Sequence, residues 1–249
     1  MPKESTLTWS RQGVAVLAEI VRLRQHRNDP RARAVRSAAV RSLVPVLTKA
    51  ERRADRRVRL LRTEMQASTE LVTIDTGEVY TVGDLTLRGS KPQRWTRFLY
   101  RVEQLLGAER VVEMGTNAGI SGSALALALP SNGHLWTLDV NLATQSAAAF
   151  RRAGLADRVT VVSGYFDDTL DLVLNEADPV GLVFIDGHHE EESSLRYFHL
   201  VLPRVAKNAL VIFDDIHWSQ GMEQAWHRLR THPRVHWSVD LQSLGVVAV

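Results

Sequence analysis

Cysteine is missing altogether from the 249 residues. That excludes disulfides, thiolate zinc sites and cysteine nucleophiles, including the cysteine adduct that pyrimidine C5 methylation requires. Long apolar runs are missing too. No stretch approaches the ~20 apolar residues of a membrane span, and the opening MPKESTLTWSRQ lacks the apolar core of a secretory signal. The expectation is a soluble, cytoplasmic chain with no membrane partner. Aromatics are few, 6% of the residues, and Trp9 is the only one before Tyr80. What is present is ordinary for a globular protein: 45% hydrophobic and 24% charged residues.

Charge is unevenly spread. Residues 1–70 hold 16 Lys/Arg against 7 Asp/Glu, whereas the remainder holds 15 against 21. This first third reads as a basic helical arm, with helices over 9–27 and 31–66. Val35, Ala39, Leu43, Val46 and Leu47 recur at helical spacing, as do Val58, Leu61 and Met65. Pro30 and Pro45 are expected to break or kink the run. Segment 71–91 has β-branched residues alternating with polar ones and three glycines, which predicts a hairpin or an irregular lid.

From Pro92 to Val249 strands alternate with helices. Strands are expected at 110–114, 134–139, 158–163, 180–185 and 209–213. Helices are expected at 92–107, 119–129, 143–153, 168–176, 190–206 and 220–230. Two apolar strands, 235–241 and 245–249, close the chain around a tight connection. Such alternation predicts an α/β fold, a Rossmann-like, doubly wound, mostly parallel sheet of seven strands with a terminal antiparallel hairpin.

In such sheets ligands sit beyond the carboxyl ends of the strands. Val111–Ser121 (VVEMGTNAGIS) is a strand, a glycine-bearing loop and a helix start. Gly115 permits close approach of a ligand, Gly119 opens the helix, and the helix N-terminus with Ser121 suits a carboxylate. Asp139 ends the next strand, where an acid accepts hydrogen bonds from ribose hydroxyls. The loop lacks the middle glycine of a dinucleotide fingerprint. Glu113, just before it, disfavours a pyrophosphate and suits a cofactor that carries an ammonium group.

These residues resemble the class I S-adenosylmethionine (SAM)-dependent methyltransferases. EMGTNAGIS is similar to their first motif, TLDV at 137–140 to the ribose motif, and SGYFDD at 163–168 to the adenine segment. The resemblance runs from about Leu87 to Val249. It implies SAM as cofactor. Glu113, Gly115, Asn117 and Ser121 would serve the amino-acid end, with Thr116 and Gly119 of the same loop also in the cofactor site. Asp139 and Val140 would serve the ribose, and Gly164, Tyr165, Phe166 and Asp167 would flank the adenine.

A second constellation is FIDGHHEEES at 184–193 with IFDDIHWS at 212–219. Asp186, Asp214 and Asp215 end neighbouring strands, and clustered carboxylates repel unless a cation or protons intervene. Oxygen donors suit Mg²⁺, Mn²⁺ or Ca²⁺. The spacing resembles the metal-dependent small-molecule O-methyltransferases of the catechol type and of the sugar-modifying type. The catechol type implies an Asp and an Asp-Asn pair as ligands, and this chain has Asp-Asp. It also implies a lysine base where this chain has His189. Without a metal, Asp186 would only line the cofactor pocket, Asp214 would cap a turn and Asp215 would face solvent. His189, favoured over His188 by position, is the candidate general base. His217 and Trp218 are candidates either for the acceptor pocket or for packing at the sheet edge.

The expected reaction is O-methylation of a small-molecule hydroxyl, a sugar or a phenol, as in natural product biosynthesis. Asp186 and His189 would be catalytic, and Asp186, Asp214 and Asp215 would hold the metal. A nucleic-acid methyltransferase using the basic arm ranks second. A non-catalytic SAM- or NAD-binding protein ranks third. The preferred role of the arm is to cover the active site or to form a homodimer.

Overall fold

The computed structural model describes residues 11–42 and 46–249. The expected helix start at Trp9, the apolar position Leu43 and the break at Pro45 lie outside the described residues. The arm is helical throughout the rest: α1 (Arg11–Arg22) runs into a tight turn at Leu23–His26, followed by α2 (Pro30–Ser42) and α3 (Lys49–Gln66). Pro30 starts α2 at its first position, where a missing N–H costs nothing. Asp29 caps the helix by accepting from the Arg31 amide at 2.8 Å. Thr48 and Glu51 form a reciprocal capping box at the head of α3.

The segment read as a hairpin or lid is half hairpin and half helix. Strands β1 (Leu71–Thr73) and β2 (Val79–Thr81) pair antiparallel, and α4 (Val82–Gly89) follows. The helix was missed because Thr81 and Asp84, which cap it reciprocally, read as strand-flanking polar residues beside β-branched neighbours.

The remaining elements alternate: α5 (Gln93–Leu106), β3 (Arg110–Met114), α6 (Ile120–Ala128), β4 (His134–Asp139), α7 (Ala143–Arg152), β5 (Val159–Ser163), α8 (Phe166–Ala177), β6 (Val180–Ile185), α9 (Glu191–Val201), β7 (Val205–Asp214) and α10 (Gln220–Arg230). The chain closes with β8 (Trp237–Asp240) and β9 (Leu244–Ala248). Helix α9 stops short of the expected 206 because Pro203 turns the chain, and β7 begins at Val205 instead.

The seven-stranded sheet has the order β5-β4-β3-β6-β7-β9-β8. Five strands are parallel, and β9 runs antiparallel to both β7 and β8. Adjacent residues alternate between two cores, so the strands read as continuous apolar runs. Val111, Phe184 and Ile212 face a core shared with α2 and α5. Val112, Val183 and Phe213 face one shared with α8, α9 and α10. In a third core Val58, Leu61 and Met65 of α3 pack on Ile120 and Ala124 of α6, the helix behind the glycine loop. The arm is thus built into the sheet's own packing. Its apolar residues Leu23, Val35 and Ala38 are buried within the chain itself.

Candidate active site

The strand order reverses at β3, with β4 and β5 added on one side and β6 and β7 on the other, and the carboxyl ends of these parallel strands open into a cleft of about 300 Å³. Gly115 and Asn117 enter it after β3, and Asp139 and Val140 after β4. Gly164, Tyr165 and Phe166 follow from β5, and Asp186, His188 and His189 from β6. Asp75, at the tip of the β1–β2 hairpin, closes one side and donates its amide to Asn141 Oδ1 at 2.8 Å.

Gly115 is required here twice over. Its φ is 101°, and a Cβ would overlap the Asp186 carbonyl. The loop and β6 meet through the Asp186 amide, which donates to the Met114 carbonyl at 2.8 Å. Asp139 organises both loops of the cleft. Its Oδ2 accepts from the Asn117 amide at 2.8 Å, and its Oδ1 accepts from the amides of Asn141 and Leu142 at 2.7 and 2.8 Å. Oδ2, with one bond accepted, has lone-pair capacity left for a ligand hydroxyl. Gly119 caps α6 in the left-handed region, φ 76°, against the ring of Phe150.

Several residues of the first motif lie beneath the cleft. Glu113 is fully buried. Its Oε2 accepts from Thr137 Oγ1 at 2.6 Å, Thr116 Oγ1 shares a 2.6 Å bond with the same Thr137, and Ser121 bonds to Glu113 as well. Burial pushes the Glu113 carboxyl up to about 7 despite these bonds. The Asn117 side chain turns to the Leu85 carbonyl of α4, at 3.3 Å. Asp167 pairs with Arg196 at 2.9 Å on the exposed side of α8, whereas Phe166 packs edge-on to His188 and Tyr197.

The two histidines are used differently. His188 Nδ1 is bonded to Tyr197 Oη at 2.6 Å. His189 turns back toward the acids, with Nε2 3.7 Å from Asp186 Oδ1. Burial holds the His189 pKa below the ordinary histidine value, so the ring is neutral near neutrality. His217 is tied to Asp240 at 2.9 Å and to Glu223 at 3.4 Å, and Trp218 is 73% exposed. Neither lines the cleft.

Register brings the acids together. Ile185 pairs with Phe213, so Asp186 and Asp214 leave adjacent strand ends side by side. Among the described residues, ligand atoms of Asp186, His189 and Asp214 lie within 4.8 Å of one another, a spacing suited to a cation. A residue the sequence reading passed over shares the cluster. Lys91 Nζ is bonded to Asp214 Oδ2 and lies 3.3 Å from Asp186 Oδ1 and 3.8 Å from Asp215 Oδ2. Burial works against the lysine charge, but Asp186 and Asp214 outweigh it and hold its pKa above the usual value. Burial pushes both Asp186 and Asp214 upward, and the Asp186 charge adds to the rise at Asp214. The donor atoms alone suit a divalent ion. With the ammonium among them they do not, because a second cation would sit against the first. One signal for Lys91 was available: it is one of four lysines against 27 arginines.

Comparison with known proteins agrees with this geometry. Residues 112–216 match the family model described as a methyltransferase domain. The chain is 33% identical over 123 residues to a catechol O-methyltransferase of Niastella koreensis, covering 48% of this chain and 55% of that one. It is 28% identical over 128 residues to caffeoyl-CoA O-methyltransferase 1 of Zea mays, covering 49% of each. The chain spans about half the length of the curated relatives it matches. Among solved structures, an O-methyltransferase from Bacillus cereus in complex with SAH superposes with a TM-score of 0.61 at 22% identity, covering 83% of this chain and 94% of that one. The O-methyltransferase TomG from Streptomyces achromogenes, in complex with SAM, gives 0.57 at 21% identity, covering 84% and 92%. Residues 112–216 thus match a methyltransferase-domain model, and most of the chain shares the Rossmann-like fold of these solved O-methyltransferases.

Proposed function

We propose that this protein moves the methyl group of SAM to a hydroxyl of a small molecule, a phenol or a sugar. The observation that carries the reading is the convergence of His189, Asp186 and Lys91 at the end of a cleft whose other walls suit a nucleoside. The relatives named for catechol and caffeoyl-CoA methylation support the choice of oxygen as acceptor.

Asp139 would take the ribose hydroxyls, and Val140, Gly164, Tyr165 and Phe166 would flank the base. The Asn117 amide is already committed to Asp139, so the carboxylate of the amino-acid end falls to the amides that open α6. SAM supplies an electrophilic methyl carbon with sulfur as its leaving group. The chain must hold the acceptor oxygen in line with that bond, so positioning accounts for much of the catalysis. His189 Nε2, neutral near pH 7, accepts the hydroxyl proton as the oxygen–carbon bond forms. The Lys91 ammonium sits where it can offset the negative charge that grows on the acceptor oxygen before transfer. Asp186 orients both groups, being within 3.3 Å of one and 3.7 Å of the other.

The deciding experiment is incubation of the protein with SAM and a panel of phenols, sugars and amines, with mass detection of both SAH and methylated product. Methylated hydroxyl compounds are expected. Calorimetry with SAM, SAH and NAD runs alongside, and binding of NAD without SAM would reject the reading at its first step.

A further inference from the structure

The acidic cluster has an occupant from the chain itself. Lys91 Nζ contacts carboxylate oxygens of Asp186, Asp214 and Asp215, and its side chain is only 11% exposed. Its position is fixed from the backbone outward. Its carbonyl accepts from Arg62 Nη2 of α3 at 2.5 Å, and Pro92 follows it as the cap of α5. The Ser90 amide before it closes α4 on the Thr86 carbonyl at 3.1 Å. The lysine is thus delivered to the cluster by three packed helices and not by a free loop. Asp214 is 1% exposed, and its second oxygen, Oδ1, is buried without a hydrogen-bond partner. A carboxylate so placed calls for a cation or a proton, and the Lys91 ammonium is bonded to its other oxygen.

We propose that Lys91 is the resident cation of this cluster, holding the place a divalent ion would need, so that the native chain binds no divalent ion there. The inference rests on side-chain placement and charge, and it stands apart from the identity of the methyl acceptor. One consequence does rest on the methyl-transfer reading: turnover persists in EDTA.

The test is titration of the full-length protein with Mn²⁺, followed by loss of the free-ion electron paramagnetic resonance signal. Lys91→Met keeps the side-chain length and removes the charge. The wild type is expected to leave Mn²⁺ free, and Lys91→Met to bind one ion at least about tenfold more tightly, because the vacated donors are of the right kind. Adding Asp214→Asn to that variant should abolish the gain. Micromolar binding of one Mn²⁺ by the wild type overturns the proposal, and so does a Lys91→Met variant that binds no better than wild type. If Lys91→Met folds poorly, recovery of its thermal transition by Mn²⁺ supports the proposal and absence of recovery overturns it. Turnover lost in EDTA and restored by Mg²⁺ also overturns it. A protein that methylates nothing leaves the titration result intact and counts only against the reaction.

Discussion

His189 and His188 are neighbours in sequence with opposite employment, and the difference is backbone conformation. Both have positive φ, 60° at His188 and 42° at His189, so the pair turns sharply after β6 and sends the His188 ring to Tyr197 and the His189 ring to Asp186. His189→Ala should lower kcat by about 10²-fold or more while changing SAM affinity little, as expected for loss of a general base. The pH profile gives a sharper readout. Burial depresses the His189 pKa, so the neutral base persists below the usual histidine range. Activity should fall only as pH drops through that lowered value, and an acidic limb above about 6.5 would exclude His189 as the base. Gly115 is the second residue whose role follows from one atom. Gly115→Ala forces a Cβ onto the Asp186 carbonyl at φ 101°, so SAM binding should be lost together with about 1–3 kcal/mol of stability, measured by calorimetry and urea unfolding. Asp186, Asp214 and Gly115 were legible because each is tied to a strand end. Lys91 was not, because its partner Asp214 is 123 positions away and no local pattern joins them.

At the scale of elements, long periodic segments were readable and short capped ones were not. β4, β6 and α10 fall where alternation and helical spacing place them, since both faces of each strand and one face of the helix must be apolar to fill the two cores. α4 escaped because its eight residues are held by a reciprocal cap and by packing on α3, not by an apolar stripe. α5 carries a consequence that its amphipathic pattern hides. Glu103 is buried in its last turn but one, and burial pushes its carboxyl up to about 9. In the unfolded chain the same group ionises near 4.5. The folded state therefore binds the proton more tightly, and stability falls as pH rises from about 4.5 toward 9, by up to roughly 1.4 kcal/mol per unit. Glu103→Gln removes this dependence. Its thermal midpoint should match the wild type at pH 4 and exceed it by several degrees at pH 8.5; equal midpoints at both values would show that the carboxyl is not held protonated.

For the whole molecule the question is whether the basic arm is an appendage. Charge asymmetry set it apart in the sequence, and that asymmetry says little about packing. Its charges are answered within the same chain: Glu51 of α3 binds Arg41 of α2 and Arg101 of α5, each at 2.7 Å, and Asp55 of α3 binds Arg97 of α5 at 2.8 Å. Arg31, fixed by Asp29 at 2.8 Å, reaches the far end of the chain and donates to the Val249 carbonyl at 2.7 Å and the Ala209 carbonyl at 3.3 Å. Trp237 of β8 donates to the same Asp29 at 2.8 Å. The N-terminal helices are thereby clamped to the last strands, and two of the three cores contain residues from both regions. Arm and sheet should then unfold as one unit. Urea transitions followed by far-ultraviolet circular dichroism, weighted by the helices, should coincide with those from tryptophan fluorescence, since five of the six tryptophans follow residue 90. Arg31→Ala leaves Asp29 without its counter-ion and the Val249 carbonyl without its Arg31 donor, so both curves should shift together by about 3 kcal/mol. A helical signal that melts ahead of the tryptophan signal, in either protein, would make the arm a separate domain after all.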